Sequence, residues 1–267
     1  MRTPALAVAF LLLSGSAAFA AGPLRVCFDD HDAPRAEKES GKGYDLDLMR
    51  LVGKRIGRPL QPVWIESDPK MTDVDDTDLP LDALAEGKCD AVASVPGDIA
   101  LTGMHDKLAL TRAYYGAGFE LVGPDTLPDD IHALKGHKVS VQNVSVANLV
   151  AVSLGFDWTA QATPAQQLQT LDSGQAEAAL VWGPALGPLG RQPKAGFVPP
   201  KLLRWNEHVA TRREDEALRV AIDGALADLN VRGKIAETLE DYGVPFHKPF
   251  DSVFSPEDLT AIRLSRK

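Results

Sequence analysis

Basic charge is scarce in this chain. Its 28 lysines and arginines face 37 acids, for a formal charge of −9. A surface with that balance repels the phosphates of nucleic acids and of anionic bilayers, so neither is an expected partner. Aromatics make up only 6% of the residues, which argues against a sugar-stacking lectin surface. No apolar run reaches the ~20 residues that cross a bilayer, so no membrane span is expected. The signatures of catalysis are missing too. The mature chain carries no G-x-S-x-G elbow, no G-x-x-x-x-G-K-[ST] phosphate loop and no H-E-x-x-H zinc helix. Gly41-Lys42-Gly43 lacks the third glycine of a dinucleotide turn and reads as a flexible loop. The six histidines are scattered. No enzyme chemistry, no cofactor and no resident metal are therefore expected.

What is present begins with an export signal. Met1-Arg2 leads into the apolar stretch Ala5 to Leu13 and then into Ala18-Phe19-Ala20, an A-x-A cleavage pattern. Residues 1–20 are expected to be removed after Ala20, leaving a mature chain that starts at Ala21 in a bacterial periplasm. Two cysteines, Cys27 and Cys89, then invite a disulfide, as export favours. The inferred register opposes it. On neighbouring parallel strands Cys27 falls near one end and Cys89 near the other, and about four residues at ~3.3 Å each exceed the reach of the bond. At the level of sequence the pairing stays open.

The body of the chain alternates strands with helices. Leu24 to Phe28 reads as a strand, followed by a polar loop and a helix from Gly43 to Gly57. In that helix Tyr44, Leu48, Leu51 and Val52 make one apolar stripe. Asp45 and Asp47 open it and Lys54 and Arg55 close it, as the helix dipole favours. Leu60 to Ile65 is a second strand, Leu81 to Leu84 a short helix and Asp90 to Ser94 a third strand. Ala117 to Val122 reads as a connection leaving this first unit. The same order returns from Lys138 to Val141, with a helix through Ala147, Val150, Ala151 and Leu154. Thr163-Pro164 with Gln166 forms a capping box for the next helix, and Ala178 to Trp182 is a buried strand. Gly183 to Pro200 reads as irregular. The chain crosses back near His208 to Arg212, and two helices follow through Leu218 to Leu229 and Ile235 to Tyr242. The expected fold class is α/β, with two lobes, two hinge strands and a cleft between the lobes.

Two acidic clusters are candidate cation sites. Asp29-Asp30-His31-Asp32 follows the first strand, where open α/β sheets place their ligand loops; it also reads as a solvated loop with a capping aspartate. Asp73 to Asp78 resembles a calcium loop but has Asp78 where that loop needs glycine, and no glutamate closes it. A hydrated surface loop is the simpler reading of that insert, Glu66 to Asp82.

Several segments resemble the extracellular solute-binding proteins of family 3, which have the type II periplasmic binding fold. Gly43-Tyr44-Asp45-Leu46-Asp47-Leu48 is similar to the family's G-F/Y-D-x-D-L helix start. Leu81 to Val92 is similar to its L-x-x-G-x-x-D segment, and Thr111 to Tyr115 to its S-x-P-Y-Y segment. The resemblance covers most of the mature chain and implies lobe one as 21–118 plus 208–267, the latter including a C-terminal tail, with 119–207 as lobe two. Amino-acid receptors of the family keep an arginine where this chain has Met104, and an aspartate where it has Trp182. An indole carries no charge to hold an ammonium group, so ordinary amino-acid capture is not expected.

Val181-Trp182-Gly183-Pro184, Arg25-Val26-Cys27, Cys89-Asp90 and Tyr242 to Pro245 resemble the quinoprotein-dehydrogenase-associated subgroup, which includes the methanol-oxidation accessory proteins MoxJ and XoxJ. That resemblance implies a periplasmic accessory to a pyrroloquinoline-quinone (PQQ)-dependent alcohol or methanol dehydrogenase, with the dehydrogenase as partner. The alternative is a receptor that delivers a small polar solute to an ABC permease. For either role the candidate cleft residues are Asp30, His31, Arg35, Tyr114, Gln142, Asn143 and Trp182. Trp182 reads equally as a contact in the cleft or as an aromatic packed between the lobes.

Overall fold

The computed structural model of the protein describes residues 22–66, 80–97 and 106–264. The signal segment with Ala21, the acidic insert from 67 to 79 and Met104 lie outside the described residues.

The first part of the chain runs β1 (Leu24–Asp29), the hairpin strands β2 (His31–Asp32) and β3 (Ala36–Glu37), α1 (Tyr44–Ile56), β4 (Leu60–Ile65), α2 (Pro80–Ala85) and β5 (Ala91–Pro96). Next come β6 (Leu108–Leu110), β7 (Tyr115–Val122), β8 (Lys138–Gln142), α3 (Val146–Leu154), β9 (Asp157–Gln161), α4 (Pro164–Asp172) and β10 (Ala178–Trp182). The last part is β11 (Arg204–Arg212), α5 (Glu216–Val231), α6 (Lys234–Asp241) and α7 (Pro256–Leu264). Among the described residues nine strands form one sheet, in the order β4-β1-β5-β11-β7-β10-β8-β9, with β6 paired to β11.

The sheet consists of two parallel halves joined by two antiparallel strands. β4, β1 and β5 are parallel neighbours, and so are β10, β8 and β9. Between them lie the crossing strands. β7 pairs with β11 through Gly116, Ala117 and Gly118, and with β10 through Phe119 to Val122, so one strand serves both halves. Alternating side chains then feed helices on both faces. In lobe one Val26, Phe28 and Ala91 pack with α1, α5 and α6, while Cys27, Val92 and Ala210 face α2. In lobe two Val139 and Val141 face α3, and Ala179 and Val181 face Leu168 of α4. The local signals were those expected: Ser145 caps α3, Thr163 and Gln166 form the capping box of α4, and Gly57 closes α1 at φ +73°.

Cys27 and Cys89 are joined in a disulfide with a Cα–Cα distance of 5.7 Å. The register argument against the bond assumed that β5 already runs through Cys89. The strand in fact starts at Ala91, opposite Val26. Ahead of it the chain leaves α2 through Gly87 at φ +80°, and Cys89 is fully buried against the α2 face of the sheet, not in line with β5.

The next residue, Asp90, anchors the amino-terminal end of the same strands. Arg25 donates to it through Nη2 at 2.6 Å, Nε at 3.2 Å and its backbone N–H at 3.2 Å. Arg58 donates at 2.8 Å, and Arg212 stands 4.0 Å away. Burial alone raises the pKa of Asp90, but the hydrogen bonds and charge of the arginines outweigh it and hold the carboxyl below the usual carboxylate range.

The C-terminal tail, assigned from sequence to the lobe-one half of the chain, makes a third passage between the halves. Gly116 N–H donates to the His247 carbonyl at 2.8 Å, and His247 meets Glu120 at 2.7 Å. Asn206 and Phe250 exchange two hydrogen bonds of 2.9 and 2.7 Å, and Phe254 N–H donates to the Arg204 carbonyl at 2.9 Å. Phe254 and Ile262 then end in the core of lobe two.

Candidate functional site

The start of α1 fixes the site. The first N–H groups of a helix lack partners within it. Here Tyr44 N–H donates to the Pro34 carbonyl and Asp45 N–H to the Arg35 carbonyl, both at 3.0 Å. The loop approaches so closely that a Cβ on Gly43 would lie 2.1 Å from the Arg35 carbonyl oxygen, and glycine's φ of +148° suits the turn. Arg35 is thereby held over the helix end, where its Nε donates to the Tyr44 hydroxyl at 3.3 Å. That hydroxyl shares a hydrogen bond of 3.0 Å with the Tyr115 hydroxyl.

Around this arginine gather more acids than it can balance. Asp32 lies 3.6 Å and Glu207 4.0 Å from its guanidinium. Asp45, 3% exposed, accepts from Ser94 Oγ at 2.8 Å through Oδ1, and the Tyr114 hydroxyl lies 3.0 Å from Ser94 Oγ. Ser94 holds a left-handed φ of +50°, strained backbone of the kind that gathers at functional sites. Burial raises Asp45 to about 7 and Glu207 to about 7 against the opposing charge of Arg35, and burial with the nearby Asp32 raises Asp29 to about 6. Burial also raises Asp32, against the same arginine. Glu207 is 1% exposed, and among the described residues its Oε2 has no hydrogen-bond partner. Lack of solvent lifts these acids, and one guanidinium is too little to bring them all down.

A cavity of about 180 Å³ opens beside this cluster, lined by Asp29, Asp32, Arg35, Asp45 and Ser94 on its polar side. Phe28, Leu81, Val92, Ala93 and Val95 form its apolar wall. It lies at the carboxyl ends of β1 and β5, the place where open parallel sheets hold ligands.

Of the residues singled out in the sequence, Arg35 and Tyr114 meet around Asp45. Asp30 is 7% exposed, and His31 stands on the hairpin with its Nδ1 3.2 Å from Glu37. Gln142 and Asn143 are elsewhere, at the end of β8 in lobe two. There Gln142 donates weakly to the Ala162 carbonyl at 3.5 Å, and Asn143 Oδ1 accepts from Val144 N–H. Trp182 packs between Phe119 and Trp205, with ring centroids 5.5 and 5.4 Å away, and touches both lobe cores. Its neighbours Gly183 and Pro184 are buried. The packed-aromatic reading of Trp182 matches this geometry.

Sequence reasoning did not single out Asp45 and Glu207, the two buried acids that the structure brings to Arg35. Asp45 shares the buried arc of α1 with Leu48, Met49 and Val52, a signal that a wider helical wheel contains. Glu207 alternates with the fully buried Val209 and Thr211 along β11, but the crossing segment read from the sequence began one residue later.

No protein-family profile and no curated protein match the chain. Solved structures do. The L-cystine solute receptor of Neisseria gonorrhoeae, in its unliganded open conformation, is 20% identical with a TM-score of 0.69; the match covers 84% of this chain and 94% of that one. The second substrate-binding domain of a putative amino acid ABC transporter from Streptococcus pneumoniae gives 18% and 0.64, covering 82% and 99%. MxaJ from Methlophaga aminisulfidivorans gives 20% and 0.61, covering 84% and 99%. The fold is that of the type II periplasmic binding proteins. These neighbours are binding proteins and receptors rather than enzymes. Within the binding-protein fold, β7 and β11 are the hinge strands, and the acid-rich cavity belongs to lobe one.

Proposed function

We propose that the chain is a periplasmic binding protein turned accessory to a PQQ-dependent alcohol or methanol dehydrogenase. Export would remove residues 1–20; 21–118 and 208–267 would form lobe one, with the tail docked on lobe two, and 119–207 lobe two. The observation that carries this reading is Trp182. It stands where the resemblance to amino-acid receptors puts an ammonium-holding aspartate, and it is wedged between Phe119 and Trp205 against both cores. A neutral, packed indole there leaves no charge for a free amino acid's ammonium. Likeness to MxaJ supports the same direction at the level of fold. The acidic lining of the cavity disfavours the polyanionic quinone itself as occupant, so this reading takes the dehydrogenase protein rather than its cofactor as the partner.

The test is a titration of the purified chain against a purified PQQ-dependent alcohol dehydrogenase, read by light scattering and by dye-linked turnover. A saturable complex or a changed turnover supports the role; neither, at tens of micromolar, removes it. The lobe-one cavity favours a second reading, a receptor handing a small polar solute to an ABC permease. Transport that requires the gene, without any dehydrogenase phenotype, would establish that instead.

A further inference from the structure

The sheet has two outer strands, β4 in lobe one and β9 in lobe two. An outer strand offers unpaired N–H and C=O groups to any further strand, and proteins blunt such edges with proline, lysine or a bulge. β4 is blunted. Asp30 N–H donates to the Ile65 carbonyl, so by strand alternation the backbone groups of Gln61, Val63 and Ile65 face β1 and Pro62 faces outward. Proline has no N–H to donate, which closes the middle of that edge to another strand.

β9 has none of these devices. Asn143 N–H donates to the Gln161 carbonyl, which places the backbone groups of Asp157, Thr159 and Gln161 toward β8 and those of Trp158 and Ala160 outward. Among the described residues no strand pairs with that outer side. The surroundings suit contact as well. In a chain that is 24% charged, residues 139–171 hold a single charged side chain, Asp157. Trp158 is 42% exposed, and Gln161, Gln166, Gln169 and Gln175 line a neutral groove beside the strand. Scarce charge with an exposed aromatic is the composition of interface cores.

The strand also complements itself. Two copies of β9 laid antiparallel about Thr159 place Trp158 opposite Ala160 and Asp157 opposite Gln161. That register brings together the residues whose backbone groups face outward, so each Trp158 exchanges N–H···O bonds with the Ala160 of the other copy. No charge meets its like. Each aspartate stands against a glutamine, each indole beside an alanine, and the two threonines face one another. Two copies of a chain with charge −9 repel least where charge is scarce, and this edge is such a place.

We infer that β9 is a dimerisation edge, where a second copy of the chain pairs its own β9 antiparallel and in register about Thr159. One sheet then runs through both copies. Such a two-fold contact is closed and makes a dimer, not a fibre. It lies in the other lobe from the cavity beside β1 and β5, so it stands whichever partner the protein serves.

The test is sedimentation equilibrium of the purified chain from about 1 to 200 µM, a range that brackets micromolar dissociation constants. A monomer–dimer equilibrium is expected. Ala160→Pro removes an outward N–H that the ladder to β8 does not use, and Thr159→Lys sets two like charges face to face. Each should weaken the dimer tenfold or more while the melting temperature stays within about 3 °C of wild type, as for surface changes. Cross-linking reads the register directly. In Thr159→Cys the two Cα atoms stand about 4.5 Å apart, and mild oxidation should give a covalent dimer; Gln161→Cys, opposite Asp157, should not cross-link. A chain that stays monomeric, a dimer that both folded variants leave unchanged, or cross-linking of Gln161→Cys alone would overturn the inference. So would a monomer whose β9 instead takes up a strand of the dehydrogenase, with Ala160→Pro abolishing that complex.

Discussion

The two ends of the lobe-one sheet carry opposite arrangements of arginines and acids. At the amino-terminal end one carboxylate, Asp90, is ringed by Arg25, Arg58 and Arg212. At the carboxyl-terminal end one guanidinium, Arg35, serves Asp29, Asp32, Asp45 and Glu207. The strands between are continuous, so the contrast does not arise from burial alone. Asp90 and Asp45 are both nearly inaccessible, at 6% and 3% exposure. They differ in donors: Asp90 receives hydrogen bonds on both oxygens and is held charged, whereas Asp45 receives them on one and is pushed up to about 7. The first end ties strands together; the second keeps an incomplete set of charges where ligands of such sheets are held.

The largest effect is expected from breaking the complete end. Asp90→Ala strips Arg25 and Arg58 of their carboxylate and leaves Arg212 to Asp215 and Glu214, a loss of about 3–5 kcal/mol for a buried, multiply bonded ion. For a chain of this size the melting temperature should fall by about 10 °C. A fall under about 2 °C would mean that the arginines find other partners. Removing the neighbouring disulfide with Cys27→Ser and Cys89→Ser should cost about 3 kcal/mol, somewhat less in melting temperature, by freeing a 62-residue separation. Iodoacetamide labelling of the unreduced, unfolded wild-type chain should meanwhile find no free thiol.

Acidity sharpens the comparison. Asp45 faces Arg35, Asp32, Ser94 and Tyr114, and Glu207 faces Arg35, Asp32 and Asp45. Burial raises both to about 7, so between about pH 4 and 7 the folded protein holds protons that the unfolded chain has released. Stability from this end is therefore lost as pH rises through 7. Asp90 has the opposite sign: its stability is present above the unfolded pKa and is lost only as pH falls below it. The melting temperature should drop by about 5 °C from pH 5 to pH 8; a flat or rising profile would mean that the acids near Arg35 are balanced. Smallest of all, Glu207→Gln removes one buried acid whose Oε2 has no partner among the described residues. It should raise the melting temperature at pH 8 by roughly 2–4 °C and leave that at pH 5 nearly unchanged.

The sequence made some of this legible. Repetition of strand and helix around two crossings was enough for the architecture, because α1, α4 and β10 carry strong local signals in their stripes and caps. Arg35 and Tyr114 were singled out because they sit beside recurring segments. Asp45 was hidden because a first-turn aspartate already has a sufficient explanation in the helix dipole. Glu207 was hidden because strand alternation gives burial without saying what lies opposite. The disulfide resisted because register was extrapolated through a turn, and the tail because its docking on lobe two rests on distant contacts of Phe254 and Ile262.

The contrast between the two ends is tested most directly by titrating individual carboxyl groups. Carbon-13 NMR of side-chain carboxyls, assigned with Asp45→Asn, Glu207→Gln and Asp90→Asn, reads each group in the intact chain. The account predicts Asp45 and Glu207 titrating near pH 7 and Asp90 below the ordinary aspartate range. Asp45 and Glu207 titrating near 4, alongside Asp90, would contradict it.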